Sequence, residues 1–177
     1  TLAATTAKLG TGAITDNANL VFIRNANFSL SAMAPNASAI TGTGNVTVQG
    51  NGTVTIDRDI TLSGNNSVIK VLAGAASAAN TSLVSDLTLT KVLTTSATGT
   101  IALFAGSPTA TVANGSTANL SLKMSGATGG IQYKTYNATS ASLANSVAGT
   151  RNFYYRVLPS LTVTGASVTA SKVYDGT

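Results

Sequence analysis

The chain contains no cysteine, no histidine and no tryptophan, and its five acidic residues are all aspartate. Without thiols or imidazoles, disulfides and the usual zinc and haem ligand sets are excluded. A Ser-His-Asp triad and a cysteine nucleophile are excluded on the same ground. Proline occurs only at Pro35, Pro108 and Pro159. Charged residues make up 8% of the 177 positions, against about 25% in an ordinary soluble domain. No apolar run approaches the ~20 residues of a membrane helix. The five tyrosines and four phenylalanines do not supply the two aromatic girdles of a membrane β-barrel.

What fills the space is Thr, Ala, Ser, Gly and Asn. With 44% hydrophobic residues the chain is too apolar for a disordered polar tract. Its dominant pattern has period two: Val46-Thr47-Val48, Val54-Thr55-Ile56, Ile60-Thr61-Leu62, Leu87-Thr88-Leu89, Leu120-Ser121-Leu122 and Leu161-Thr162-Val163. Successive strand side chains point to opposite faces, so each triplet sends two aliphatic groups inward and one hydroxyl outward. The Ala73–Ala79 stretch is too short and too rich in Gly and Ser to stand as a helix. Gly42-Thr43-Gly44-Asn45, Gly50-Asn51-Gly52, Gly64-Asn65-Asn66 and Asn114-Gly115 supply corners that tolerate positive φ.

Short strands, frequent corners and inward aliphatics of similar size predict an all-β fold. Related segments recur at Asp59-Ile-Thr-Leu-Ser-Gly64, Asp86-Leu-Thr-Leu-Thr90 and Asn119-Leu-Ser-Leu-Lys123. Of sandwich, barrel and β-solenoid, the pattern favours the solenoid, in which each repeat buries its core against its neighbours. The division expected is a stalk over 1–158, with 131–158 as irregular terminal coils or a cap, followed by a linker and a truncated repeat over 159–177. Open sheet edges at both ends of such a body, together with the Thr1-Leu2-Ala3-Ala4 start, read as a piece of a longer chain.

Lys172-Val173-Tyr174-Asp175-Gly176-Thr177, preceded by Leu161-Thr-Val-Thr-Gly, resembles the opening of the YDG/MBG-type repeats of large bacterial surface adhesins. Asn152-Phe-Tyr-Tyr-Arg-Val157 is similar to segments that join a stalk to such repeats. The Thr41–Leu72 region resembles filamentous-haemagglutinin-like exoproteins exported by two-partner secretion. The asparagine-proline motifs of the secretion domain are absent, which points to an internal or late segment. The resemblance implies a right-handed parallel β-helix ending in the first strand of a YDG-type β-sandwich repeat. It also implies a secreted, surface-attached adhesin segment that extends and presents adhesive regions for cell-surface, cell-cell or biofilm-matrix attachment. An outer-membrane secretion partner would engage another part of the chain. No catalytic residue, metal or cofactor is expected.

Two other classes stay open. Asp57 and Asp59 share a strand face and form a candidate carboxylate pair for a polysaccharide-acting enzyme, against a solvated strand edge. A self-associating extracellular filament subunit is the other.

Between Asp86 and Asp175 there is no acid, while Lys91, Lys123, Lys134, Arg151, Arg156 and Lys172 fall there. Together with the late aromatics this makes Tyr133, Lys134, Tyr136, Arg151, Tyr154, Tyr155 and Arg156 candidate contacts for an extracellular polysaccharide or host surface glycan. The charges are too sparse for a specific nucleic-acid footprint. Of the Asn-x-Ser/Thr sequons, Asn45, Asn51, Asn65 and Asn114 are candidate glycosylation positions. Solenoid corners also place Asn before Thr or Ser for purely conformational reasons. Thr-x-Thr triplets, such as 41/43, 53/55 and 88/90, recur at irregular spacing, which argues against a regular ice-binding register.

Overall fold

In a computed structural model of the chain, residues 2–3, 12–35, 39–81, 86–108, 111–113, 122–129 and 133–158 are described. The period-two segments at Val46, Val54, Ile60 and Leu87 become strands, and the Gly/Asn clusters at 42–45, 50–52 and 64–66 lie at the corners between strands. Leu122, expected to face inward, is 73% exposed outside any strand, and the Leu161–Val163 triplet and the Asn114-Gly115 corner lie outside the described residues. In chain order the strands are β1 (Leu2–Ala3), β2 (Ile14–Asp16), β3 (Asn19–Arg24), β4 (Phe28–Ser29), β5 (Ala39–Gly42), β6 (Asn45–Gly50), β7 (Val54–Ile56) and β8 (Asp59–Leu62). They continue with β9 (Val68–Leu72), β10 (Leu87–Leu89), β11 (Leu93–Thr94), β12 (Thr100–Ala105), β13 (Thr111–Ala113), β14 (Met124–Ser125), β15 (Tyr133–Thr135) and β16 (Arg151–Tyr155). Two short helices interrupt them, α1 (Leu30–Met33) and a 3-10 turn at Ser140–Asn145.

These strands sort into three sheets, and every pairing is parallel. One sheet has seven strands in the order β1-β3-β6-β9-β12-β16-β15, one has four (β13-β10-β7-β4), and one has five (β14-β11-β8-β5-β2). This finding corrects the right-handed parallel β-helix expected from the sequence. The chain forms a layered, mostly β arrangement of three parallel sheets of unequal strand number, with two short helices. Its cross-strand partners lie 26 residues apart at Asn19 and Asn45, 23 at Asn45 and Val68, and 32 at Asn66 and Thr98. In the largest sheet β16 inserts between β12 and β15, so the strand order does not advance with the sequence. Period two fixes which side chains face inward, but it carries no information about how separate sheets are joined. The YDG-type strand and the boundary at Pro159 lie outside the described residues.

Inward side chains stack in files of like shape. Ile14, Ile40, Ile60, Leu93 and Met124 pair in register across the five-stranded sheet. Phe22, Val48, Val71, Leu103 and Phe153 do the same across the seven-stranded one. Nearly all of these are buried, and they form one continuous core. Matching shapes at each step favour close packing of the interior. From β12 onward the outer face of the large sheet is apolar as well. Leu72, Ala102, Phe104 and Tyr154 meet Ala138 and Leu143 there, so the 3-10 turn covers a second, smaller core. That explains why β12 is buried at all six positions and lacks the alternation of β6.

The corners are held by polar ladders between successive layers. Asn45 Nδ2 donates to Asn19 Oδ1 (2.9 Å), and Val68 N donates to Asn45 Oδ1 (2.8 Å), so Asn45 links three strands. Asn51 Nδ2 donates to Asn25 Oδ1 (3.2 Å), and Thr53 N donates to Asn27 Oδ1 (2.8 Å). Gly44 is required where it stands, because a Cβ there would lie 2.7 Å from the buried Asp16 Oδ2.

Asn45→Ala removes the acceptor of a partly buried N–H and breaks both links. A loss of about 1–3 kcal/mol in unfolding free energy is expected, measured by urea denaturation. Asn45→Asp keeps the acceptor and loses only the donor, so its cost is smaller; equal losses would show that the Val68 bond contributes nothing.

Candidate functional site

Asp57 and Asp59 flank Arg58 at the corner between β7 and β8. Asp57 accepts from Ser31 N (2.8 Å) and from the Ser31 hydroxyl, 26 residues away in the neighbouring layer. Asp59 Oδ1 accepts from Val92 N (2.8 Å), 33 residues away on the other side. Arg58 donates to Asp57 O (2.8 Å) and Pro35 O (3.0 Å). The two carboxylates therefore tie β7 and β8 to the layers on either side. Among the described residues no three potential metal-ligating side chains lie together.

The late aromatic and basic residues divide into two groups. Lys134 is exposed, and Tyr136 and Arg151 are half-buried. Tyr154 and Tyr155 are buried at 4% and 3% exposure, and Arg156 is fully enclosed. These last three are thus unavailable to a surface glycan, which corrects their assignment as contacts. Tyr155 points into the main core, Tyr154 packs with Leu143 of the 3-10 turn, and Arg156 is enclosed by the Ala73–Thr81 segment. The side chain of Tyr133 lies outside the described set. Tyr155 stacks on Tyr136 (centroids 5.5 Å apart) and on Phe153 (6.4 Å). Arg151 Nη2 donates to Gly126 O (3.1 Å), which staples β16 to the corner after β14.

The sequon asparagines also separate. Asn45 and Asn51 have their amides committed to the cross-layer ladders. Asn65 is exposed in the corner between β8 and β9, but Ser67, the hydroxyl of its sequon, is buried at 2% exposure. Asn114 lies outside the described residues.

One feature emerges only from the register. Thr15, Thr41, Thr61, Thr94 and Ser125 pair in sequence across all five strands of the β2–β14 sheet. They form a single file of hydroxyls on its outer face, directly behind the Ile14–Met124 file. Thr94 is half-buried and the other four are exposed. Thr41 Oγ1 reaches Ile14 O at 3.4 Å; the other four hydroxyls make no hydrogen bond within the protein. With parallel strands about 4.8 Å apart, the file repeats at that interval. A search for Thr-x-Thr triplets misses it, since only Thr41 belongs to one. The signal that finds it is an aliphatic residue followed by a hydroxyl: Ile-Thr three times, Leu-Thr, then Met-Ser.

At one end of this sheet, where its strands turn toward the large sheet, a shallow cleft of about 390 Å³ is lined by Asn66, Ala97, Thr98, Thr128, Gly129, Ala148 and Gly149. Its lining carries no charged group. No helix among the described residues is long and apolar enough to cross a membrane. No protein-family model matches the chain, and no match is found among curated proteins or solved structures.

Burial of Tyr155, and secondarily the neighbouring Tyr136, push its phenol well above the ordinary tyrosine range. The folded state resists ionisation where the unfolded chain ionises near pH 10. The stability this confers is whole below about pH 10 and is lost as pH rises through the folded-state value. Tyrosinate absorbance is expected to show one tyrosine titrating late and together with loss of the circular dichroism signal. Removing the hydroxyl with Tyr155→Phe should weaken that alkaline transition.

Proposed function

We propose that this chain is a structural and adhesive segment of a secreted bacterial surface adhesin, extending and presenting adhesive regions for attachment to cells or matrix. The observation that carries the reading is the parallel stacking of three sheets over one continuous core. Each added strand lengthens the body along one direction, and seven strands at about 4.8 Å span roughly 30 Å. The resemblance of Thr41–Leu72 to haemagglutinin-like exoproteins, and of Lys172–Thr177 to YDG-type repeats, supports the same reading. The engagement of Asp57 and Asp59 by neighbouring backbone N–H groups favours a spacer over a glycan-cleaving enzyme. Lys134, Tyr136 and Arg151 remain as the accessible positions for an extracellular polysaccharide or host glycan. Secretion through an outer-membrane partner and self-association at open sheet edges belong to this reading as well.

Cells displaying the adhesin without residues 12–158 are expected to lose at least about tenfold in attachment to a matrix-coated surface, since binding energy is useless beyond reach. Undiminished attachment would overturn the proposal. Replacing the segment with an unrelated rigid spacer of similar length separates presentation, which the spacer restores, from direct contact, which it does not.

The hydroxyl file favours a second reading, recognition of ordered water at an ice face. Five in-register hydroxyls, four of them without a hydrogen bond among the described residues, repeat about every 4.8 Å along one largely exposed line. Slowed ice recrystallisation by the purified chain, abolished in Thr41→Tyr/Thr61→Tyr, is the expected outcome. Ice growth indistinguishable from a protein-free control removes this reading and leaves the first untouched.

A further inference from the structure

Arg156 follows β16 directly, yet its guanidinium is not at the surface. Nε donates to Thr81 O (2.9 Å), and Nη1 donates to Ala73 O (2.7 Å) and Gly74 O (3.2 Å). Nη2 pairs with the Asp86 carboxylate, and both side chains are fully enclosed. The guanidinium carbon also sits 5.3 Å from the centre of the Phe104 ring, on β12. The hydrogen-bonding partners lie 70 to 83 residues earlier in the chain.

Three of those carbonyls belong to one segment, Ala73–Thr81, which leaves β9 without helix or strand. Its near end is fixed to the preceding layer, where Gly74 N and Ala75 N donate to Gly52 O and Gly50 O (2.8 and 2.9 Å). Among the described residues outside the segment, its far end is fixed to Arg156: Asn80 N donates to Arg156 O (2.9 Å), and Thr81 O receives Nε. Gly74 adopts φ +61°, and a Cβ there would lie 2.6 to 2.9 Å from the guanidinium atoms. The segment is shaped around this one side chain.

We infer that Arg156 is a latch: the Ala73–Thr81 strap closes only when β16 has docked beside β12 and delivered the guanidinium. A carboxylate enclosed at Asp86 without its cation is strongly disfavoured. The carbonyls of Ala73 and Gly74 likewise need a buried donor. Until residue 156 arrives, the carbonyls of Ala73, Gly74 and Thr81 lack this donor, whatever the state of β2 through β8. Folding is therefore not a simple addition of layers from one end. A middle part of the molecule waits for a late one, and this holds whether or not the chain serves an adhesin.

Hydrogen exchange on the full chain, read by amide, tests the latch. In Arg156→Met the amides of Gly74, Ala75 and Asn80 are expected to exchange about a hundredfold faster or more, while those of β6 keep their protection. Unchanged strap amides overturn the latch. So does equal acceleration of strap and β6, which would signify general destabilisation. If Arg156→Met does not fold, the wild-type chain in low denaturant decides the matter. Asn80 and the β16 amides should then open together with one denaturant dependence, and a strap that opens while β16 stays protected overturns the inference.

Discussion

Parallel backbone pairing between strands that carry like side chains is the constraint on which everything else rests. Parallel ladders leave no hairpin option, and from β3 to β14 each sheet receives its next strand only after the chain has visited the other two. That delay spaces register partners from 20 positions apart, at Ile40 and Ile60, to 50, at Leu103 and Phe153, and then places them in contact. The aliphatic files of the core, the amide ladder through Asn19 and Asn45 and the exposed hydroxyl file all follow from one register. A slip by a single residue would exchange the isoleucine file for the threonine file on the five-stranded sheet.

The scarcity of charge takes on meaning within this frame. Arg58, Arg151 and Arg156 donate to backbone carbonyls of other layers, and Asp57 and Asp59 accept from backbone N–H groups of other layers. Lys123 reaches the carbonyl of Thr90 (2.8 Å). Corners interrupt the ladders and leave polar groups without strand partners, and a long charged side chain can bridge such a gap. The few charged residues are thus largely structural, and the surface is left to hydroxyls and amides.

The sequence made the strands themselves legible. The triplets at Val46, Val54, Ile60 and Leu87 alternate as read, and the Gly/Asn clusters turn the chain where expected. Sheet connectivity was not legible, because alternation describes a strand's two faces and not its neighbours. For the same reason Tyr154, Tyr155 and Arg156 look like surface candidates in the sequence: nothing local reveals that Leu143 covers Tyr154, that the Ala73–Thr81 strap encloses Arg156, or that Tyr155 faces the main core. The hydroxyl file was half visible. Its residues are plain in the sequence, but their alignment depends on returns of unequal length.

The strap moored at both ends has one more consequence. A break in its middle, near Ser77 and Ala78, would leave one stub tied through Gly74 and Ala75 to the layer before it. The other stub would stay tied through Asn80 and Thr81 to Arg156. The severed halves would also share a core of interleaved strands, with β9 against β12 and β7 against β10. Cleavage there would change the covalent chain without parting it, so a molecule nicked at this point would keep its outline and its mechanical continuity.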